Sequence, residues 1–224
     1  MPTALVRPPP ASLPPATGER PDRKSAILLA AEKLFAQRGY HGVSIRQIAA
    51  EAGVPVALVG YYYGAKHELF HAIFAHWQPT IEARLALLRE AVAQTRAQPA
   101  ALHRIVSAFV EPVLRMRASP EGEFYALLVS RELLYVRDET DRVLREFFDP
   151  LAHTFIDALH TVRPQATRAQ TAWAYQFALG ALLHHTSDRR GQRRARGANP
   201  PNDAAAAPLP VRFATAGMRA RRHA

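Results

Sequence analysis

The pattern His67-Glu68-x-x-His71 is the most explicit chemical motif in the chain. On a helix, two imidazoles one turn apart with a glutamate between them form the arrangement found in zinc peptidases. A catalytic zinc needs a third protein ligand. The downstream His-x-x-Gly-x-x-His extension is missing, His76 has the wrong spacing for it, and Glu90 is a distant candidate of a kind that many helical chains offer. A zinc metallopeptidase is therefore the weaker interpretation, and we expect no metal, no cofactor and no enzyme activity.

A second cluster, just upstream, has side chains that suit phosphate groups. Tyr61 and Tyr62 belong to a run of three tyrosines, which the period of a helix cannot bury together. Gly64 breaks that helix and Lys66 opens the next one. Phenolic hydroxyls, an ammonium group and a helix N-terminus together are typical of a phosphate-binding surface.

The elements that position this cluster read as a helix-turn-helix. Ser44 followed three residues later by Gln47 fits a capping box, in which each side chain satisfies a free backbone N–H of the first turn. Gly53 stands where the first helix must turn back, a position that favours positive φ. Pro55 suits the first turn of a short second helix over residues 55–62. Two short helices joined by a glycine-containing turn are typical of a DNA-binding unit.

Residues 23–72 resemble the N-terminal domain of the TetR (tetracycline-repressor) family of transcriptional regulators. The matching segments are ILLAAEKLFAQRGYHGVSIRQIAAEAGV and GYYYGAKHELF. The resemblance implies a regulator that binds double-stranded DNA through this domain, and a C-terminal domain that dimerises and senses a small-molecule effector. The chain departs from the family pattern at four positions. Pro55 stands where the family usually has Ser or Thr, and Gly60 where it usually has an aromatic residue. Tyr63 stands where it often has Phe, and Ala65 where it often has Ser.

The predicted DNA-binding residues fall into three groups according to what they would contact. At the start of the first helix of the pair, Ser44, Arg46 and Gln47 would lie near the DNA backbone or the groove edge. At the start of the second helix, Pro55, Val56 and Ala57 would face the bases. The third group, Tyr61, Tyr62 and Lys66, would hold phosphates. Apolar residues at the base-facing positions suit contact with thymine methyl groups.

Composition and charge narrow the class of protein. The chain has 224 residues, a net charge of +10 and no cysteine, which excludes disulfides and thiolate sites. No run of about 18 apolar residues indicates a membrane span, and the N-terminus lacks the order of a signal peptide, so we expect a cytoplasmic protein. Most of the positive charge lies in residues 188–224, where nine arginines stand against two aspartates. The basic run 189–197 is more typical of a solvated loop than of a DNA contact, the alternative being that it adds salt-sensitive, sequence-independent DNA affinity.

The predicted organisation is all-α: an N-terminal three-helix helix-turn-helix domain, then a larger helical ligand-binding and dimerisation domain. The four parts are a disordered Pro-rich segment at 1–20, the DNA-binding unit at 21–72, the helical body at 73–187, and a basic loop with a C-terminal helix at 188–224. Helices are predicted at 22–38, 66–77, 80–96, 100–117, 121–137, 140–162 and 166–187. Pro79 is expected to end its helix, Pro112 and Pro150 each to mark a kink or a boundary, and Asp203 to cap a last helix.

The helical body predicts a pocket and a dimer interface. Apolar helices with sparse polar groups suit a small-molecule pocket, although an ordinary core looks the same. The candidate pocket residues are Tyr125, Arg131, His153, Trp173 and Gln176. The two long helices at 140–162 and 166–187, the second containing Gly180, are the expected homodimer interface. The sequence thus predicts a ligand-responsive repressor that binds a palindromic operator, the alternative being a helical scaffold that has lost DNA binding.

Overall fold

Helices form every regular element in the part of the chain that the structure describes. This computed structural model describes residues 22–94, 100–135, 138–187, 191–198, 206 and 208–219. In chain order the helices are α1 (Arg23–Arg38), α2 (Ile45–Glu51), α3 (Val56–Tyr63), α4 (Lys66–Ala93), α5 (Ala101–Ala118), α6 (Glu123–Leu134), α7 (Asp138–Val143), a π-helical segment (Leu144–Phe148), α8 (Asp149–Thr161), α9 (Arg168–Ser187), α10 (Gly191–Arg194) and α11 (Pro208–Arg219). The all-α prediction is confirmed. Within those ranges no helix combines the length and the apolar character that crossing a membrane requires.

The first three helices form a small unit around a shared apolar core. Asp22 caps α1 by accepting a hydrogen bond from the backbone N–H of Lys24 at 3.1 Å. The buried residues of this unit lie on the facing sides of α1, α2, α3 and the start of α4, and include Ile27, Phe35, Ile48, Val59, Leu69 and Phe70. The predicted first helix, including its end before Gly39, is confirmed.

The fourth helix does not end at Pro79, and that prediction is wrong. Helix α4 is continuous to Ala93, so the predicted helices at 66–77 and 80–96 are one element. A proline inside a helix removes one backbone hydrogen bond, and its ring crowds the preceding turn. The packing of the helix on both sides of Pro79 outweighs this cost in free energy. Phe74, Ile81 and Leu88 follow at heptad spacing and are all buried, so the same face packs on both sides of the proline.

In the body, α5 and α8 pack against α4, and α6, α9 and α11 pack in turn against α5, while α6 also packs against α1 of the N-terminal unit. Pro150 marks a boundary as predicted, because the π-helical segment ends just before it and α8 begins with the proline in its first turn. Pro112 lies inside α5 without ending it. The last helix begins at Pro208; its predicted cap, Asp203, and the Pro-rich segment 1–20 lie outside the described residues.

Candidate nucleic-acid interface and adjoining cavity

The start of α2 and the turn that follows it are built as the sequence predicts. The Ser44 N–H donates to Gln47 Oε1 at 2.8 Å, and the Gln47 N–H donates to Ser44 Oγ at 3.3 Å, which completes the capping box at the start of α2. In the turn between α2 and α3, Gly53 has a φ of +66°, a conformation that side chains with a Cβ rarely adopt. The glycine therefore allows the chain to turn back between the two helices.

The N-terminal end of α3 presents an exposed apolar surface. Pro55 occupies the position before the helix rather than its first turn, so α3 runs one residue later than predicted. Pro55, Val56 and Ala57 are all exposed, with 47% of the Val56 surface open to solvent, whereas Val59 is fully buried against the unit's core. No side chain caps the first turn of α3, whose Leu58 N–H donates to the Pro55 carbonyl at 3.0 Å.

The three tyrosines at the end of α3 have different environments. Tyr61 is 80% exposed and its ring packs edge-on against half-buried Tyr62 at 5.1 Å between centroids. Tyr63 instead donates its hydroxyl to the backbone carbonyl of Lys24 at 2.9 Å, joining α3 to the start of α1. Burial, together with the nearby Asp22 carboxylate, raises the pKa of Tyr63 to about 12. Tyr61 and Tyr62 are thus available for an external contact, while Tyr63 has a structural one.

Lys66 opens α4 with its ammonium group over an aromatic ring. Its Nζ lies 4.3 Å from the centroid of the Tyr40 ring, and burial lowers the pKa of the ammonium group. Glu68 accepts a 2.6 Å hydrogen bond from the Ala65 N–H and so caps this helix. No carboxylate among the described side chains forms an ion pair with Lys66, which leaves its charge available to an anion.

Two of the three residues of the His-Glu-x-x-His pattern make hydrogen bonds within the fold. Glu68 caps α4, His67 is exposed, and His71 Nε2 lies 2.8 Å from Glu146 Oε2 of the π-helical segment. The hydrogen bond from His71 is the main reason that the pKa of Glu146 is lowered. Across the described ranges, no group of three or more potential ligands (His, Cys, Asp or Glu) gathers into a metal site.

An apolar cavity lies inside the body, between the distal half of α4 and helices α5, α6, α8 and α9. The empty space in this region amounts to about 620 Å³, a figure that includes solvent at its open mouth. The lining residues are Thr80, Ile81, Arg84, Phe109, Val113, Met116, Tyr125, Ala126, Val129, Ser130, Leu133, Phe148, Leu151, Tyr175, Leu179, Leu182 and Leu183.

Two polar groups in this cavity have unsatisfied hydrogen-bonding capacity. Arg84 is buried, and its Nη2 donates to the Phe109 carbonyl at 3.3 Å, but its Nε has no partner among the described residues. The hydroxyl of Tyr125 is likewise buried and unpaired. Burial lowers the pKa of Arg84 to about 10, so the guanidinium stays charged at neutral pH, and burial raises the pKa of Tyr125.

Only one of the five predicted pocket residues lines this cavity, and it is Tyr125. The guanidinium of Arg131 points the other way, so close to the end of α1 that a Cβ at Gly39 would lie 2.8 Å from it. The other three lie on outward faces of α8 and α9 and are exposed to solvent: His153, Trp173 and Gln176. The sequence does hold a signal for the missed Arg84, which shares a helical face with the inward-facing Ile81 and Leu88.

A buried carboxyl joins the N-terminal unit to the cavity wall. Glu32 of α1 accepts a 2.7 Å hydrogen bond from Trp77 Nε1 of α4 and another from the backbone N–H of Tyr125 at the start of α6. The Trp77 ring stacks on the Tyr125 ring at 4.9 Å and 12°. Burial raises the pKa of Glu32 to about 7, because the two hydrogen bonds only partly offset the loss of hydration. Three helices therefore meet at one titratable group beside the cavity.

Comparison with known proteins gives two matching families that follow one another along the chain. "Bacterial regulatory proteins, tetR family" matches residues 27–73, and "Tetracyclin repressor-like, C-terminal domain" matches residues 107–217. The chain is 30% identical to the HTH-type transcriptional regulator BetI of Brucella anthropi over 205 residues, which are 87% of this chain and 93% of BetI. It is 29% identical to the HTH-type transcriptional activator FasR of Mycolicibacterium smegmatis over 92 residues, only 41% of either chain.

Solved structures share the fold at lower sequence identity. A TetR-family transcriptional regulator from Bordetella parapertussis superposes with a TM-score of 0.64 at 19% identity, covering 87% of this chain and 94% of the other. HlyIIR, a hemolysin II transcriptional regulator, superposes with a TM-score of 0.61 at 19% identity, covering 89% of this chain and 98% of the other. At these identities the likeness shows the arrangement of helices alone.

Proposed function

Because the chain belongs to the TetR family of bacterial regulatory proteins and is a transcriptional regulator with a DNA-binding helix-turn-helix, we propose that it is a ligand-responsive repressor that binds a palindromic operator as a homodimer. The observation that carries this proposal is the exposed start of α3, which follows the turn at Gly53. A protein acting on chromosomal DNA works in the cytoplasm, which is where we place it.

The proposed docking puts α3 in the major groove. Pro55, Val56 and Ala57 then face base edges, and their apolar surfaces suit thymine methyl groups. Ser44, at the N-terminus of α2, lies beside the DNA backbone, as do the exposed side chains that follow it on the same helix turn, Arg46 and Gln47. The free backbone N–H groups at the start of α3 add favourable dipoles toward phosphate.

A second set of groups would contact the phosphates on the far side of α3. Tyr61 projects furthest into solvent, Tyr62 packs beside it, and Lys66 carries a charge that no described carboxylate neutralises. Contacts of this kind fix the position of the helix on the duplex without reading sequence.

Dimerisation is proposed through α9, together with α8. Along α9 an exposed stripe at helical spacing carries Trp173 and Phe177, each 61% exposed and stacked on one another at 5.8 Å between centroids. Gly180 continues that stripe, and a Cβ there would meet nothing within 4 Å, so a second helix has room to approach. Large apolar side chains clustered on one exposed face are typical of a protein interface.

The proposed effector site is the cavity, and two of its walls reach the DNA-binding unit. Helix α4 runs from Lys66 beside the DNA surface to Arg84 in the cavity, and α6 lines the cavity while packing against α1. A ligand that prefers a different tilt of these helices would change the spacing of the two α3 helices. Coupling of about 1–3 kcal/mol corresponds to a loss of operator affinity of about 5–150-fold.

The test is a gel-shift titration of the purified protein against the DNA upstream of its own gene. We expect a saturable complex on a fragment that contains an inverted repeat, with half-sites about 34–36 Å apart, one helical turn or a multiple of it. The control fragment has the same base composition with one half-site scrambled, and it should bind much more weakly. Equal binding to both fragments would favour the scaffold interpretation over a sequence-specific regulator.

A further inference from the structure

The side chains that line the cavity carry positive charge and no negative charge. Of its seventeen lining residues, Arg84 alone is charged, and no aspartate or glutamate is among them. No described carboxylate forms an ion pair with its guanidinium, whose nearest polar partner is the Phe109 carbonyl. A buried charge without a counter-charge is costly, so proteins rarely keep one unless something pairs with it.

The unpaired atoms in the cavity are both able to donate a hydrogen bond. Four buried side-chain polar atoms lack a partner among the described residues, and two of them, Arg84 Nε and Tyr125 Oη, belong to this one cavity. Two other polar lining groups are already used, since Thr80 Oγ1 donates to the Trp77 carbonyl and Ser130 Oγ donates to the Ala126 carbonyl; the hydroxyl of Tyr175, another lining residue, interacts electrostatically with Arg84. The groups left unsatisfied therefore match an acceptor that carries negative charge.

We propose that the cavity binds an apolar monoanion, a carboxylate on a hydrocarbon or aromatic body, with its charged group held by Arg84 and Tyr125. Most of the remaining wall is apolar and would surround the body of the ligand, with aliphatic side chains such as Val113, Val129 and Leu179 and the aromatic rings of Phe109 and Phe148. A dianion would leave a second negative charge buried without a partner, and a cation would meet the guanidinium directly. The inference rests on the proposed role of this cavity as the effector site.

The chain supplies its own reporter for binding. Its two tryptophans are Trp77, which stacks on Tyr125 at the cavity wall, and Trp173, which is exposed on α9. Replacing Trp173 by Phe leaves Trp77 as the single tryptophan, so a change in emission reports events at the cavity and needs no DNA. The probes are octanoate and phenylbutyrate, each with its uncharged amide, and octylammonium as the cation.

We expect both carboxylates to bind saturably and their amides to bind about tenfold or more weakly, since a hydrogen bond to a charged group is worth that much. Arg84→Met should remove the preference for carboxylate over amide, and Tyr125→Phe should weaken carboxylate binding alone. The matched controls are Arg89→Met, an exposed arginine on the same helix, and Tyr135→Phe, an exposed tyrosine just after α6. Neither control should change the affinity.

Should Arg84→Met fail to fold, Arg84→Lys keeps the charge and is expected to retain the carboxylate preference. Equal affinity for carboxylate and amide, tighter binding of octylammonium, or no saturable binding of either carboxylate would overturn the proposal. A gel shift run in parallel separates the two levels of inference. Carboxylate binding that leaves the operator complex intact would remove the effector role while the ligand class stands.

Discussion

Glu32 makes the stability of the fold depend on pH. Its carboxyl is 2% exposed, and its pKa is about 7 in the folded chain against an ordinary value of 4.5. Below pH 4.5 the group is protonated whether the chain is folded or not, so burial costs little. As the pH rises from 4.5 to 7 the unfolded chain releases this proton while the folded chain still holds it, so stability is lost across this range, and the loss is complete above 7. A shift of this size corresponds to about 3 kcal/mol of unfolding free energy.

Glu32→Gln should therefore stabilise the protein at high pH and have little effect at low pH. The amide oxygen can still accept from Trp77 Nε1, but it has no charge to desolvate. Between pH 5 and 8, the unfolding free energy of the variant should gain about 2–3 kcal/mol relative to the wild type, measured by urea denaturation. Glu82→Gln, at an exposed glutamate on α4, is the control. Parallel pH profiles for Glu32→Gln and the wild type would contradict the assignment.

Lys66 is the residue whose removal should weaken DNA binding uniformly across sequences. Its ammonium group has no described carboxylate partner, in contrast to Lys33, which is paired with Glu51. Lys66→Ala should make the slope of log K against log salt concentration less negative by about 0.9, the value for one lost phosphate contact. The loss should be the same on specific and scrambled DNA.

Lys33→Ala is the matched control for that experiment. It removes the same charge from the same small unit, but from a group already neutralised by a neighbour, so the salt slope should stay as in the wild type. A slope unchanged in Lys66→Ala, or changed equally in both variants, would show that Lys66 does not contact phosphate.

At the scale of elements, the helices of the DNA-binding unit were predictable because their signals are local. Asp22 and Ser44 cap helices with hydrogen bonds that reach only two or three residues along the chain, and Gly53 sets the turn by its own φ. Each of these devices can be read from a few neighbouring letters. The beginning and end of α1 follow from such signals, and α3 differs from its prediction by one residue.

Helix α4 and the cavity were not predictable in the same way because their determinants are long-range. Pro79 is a local stop signal, yet the buried face that continues past it packs against helices from elsewhere in the chain. Arg84 looks like a solvated helix residue until α5 closes over it and its Nη2 reaches the Phe109 carbonyl. Tertiary packing outweighs local preference at both positions.

The outward orientation of the aromatic residues of α9 was not predictable from the sequence for a related reason. An amphipathic pattern identifies inward positions, but it cannot say which of several apolar faces meets the chain's own core and which meets a neighbour. Trp173 is a predicted pocket residue, whereas in the structure it lies on the outer face of α9 with Phe177. The cavity instead takes residues from the opposite face of the same helix, Tyr175, Leu179, Leu182 and Leu183.

At the scale of the whole molecule, the proposed recognition of an operator depends on having two copies. In the proposed docking, one α3 helix offers only a few apolar base contacts, and most of its other contacts to DNA read no sequence. Two copies held by a two-fold axis at a fixed separation add their binding free energies on an inverted repeat, and only on one with the matching spacing. Specific binding and dimerisation should therefore be lost together.

Phe177→Glu tests that link, because it places a charge in the centre of the proposed α9 interface. The side chain is 61% exposed, so the change should leave the protomer folded, as judged by circular dichroism and by the melting temperature. In sedimentation velocity the variant should behave as a monomer, and its gel shift should no longer distinguish the inverted repeat from the scrambled control. Leu29→Glu introduces the same charge at an exposed leucine on α1 and should stay dimeric. A dimeric Phe177→Glu variant would move the interface away from this face, whereas a monomer that still selects the inverted repeat would show that symmetry is not the source of specificity.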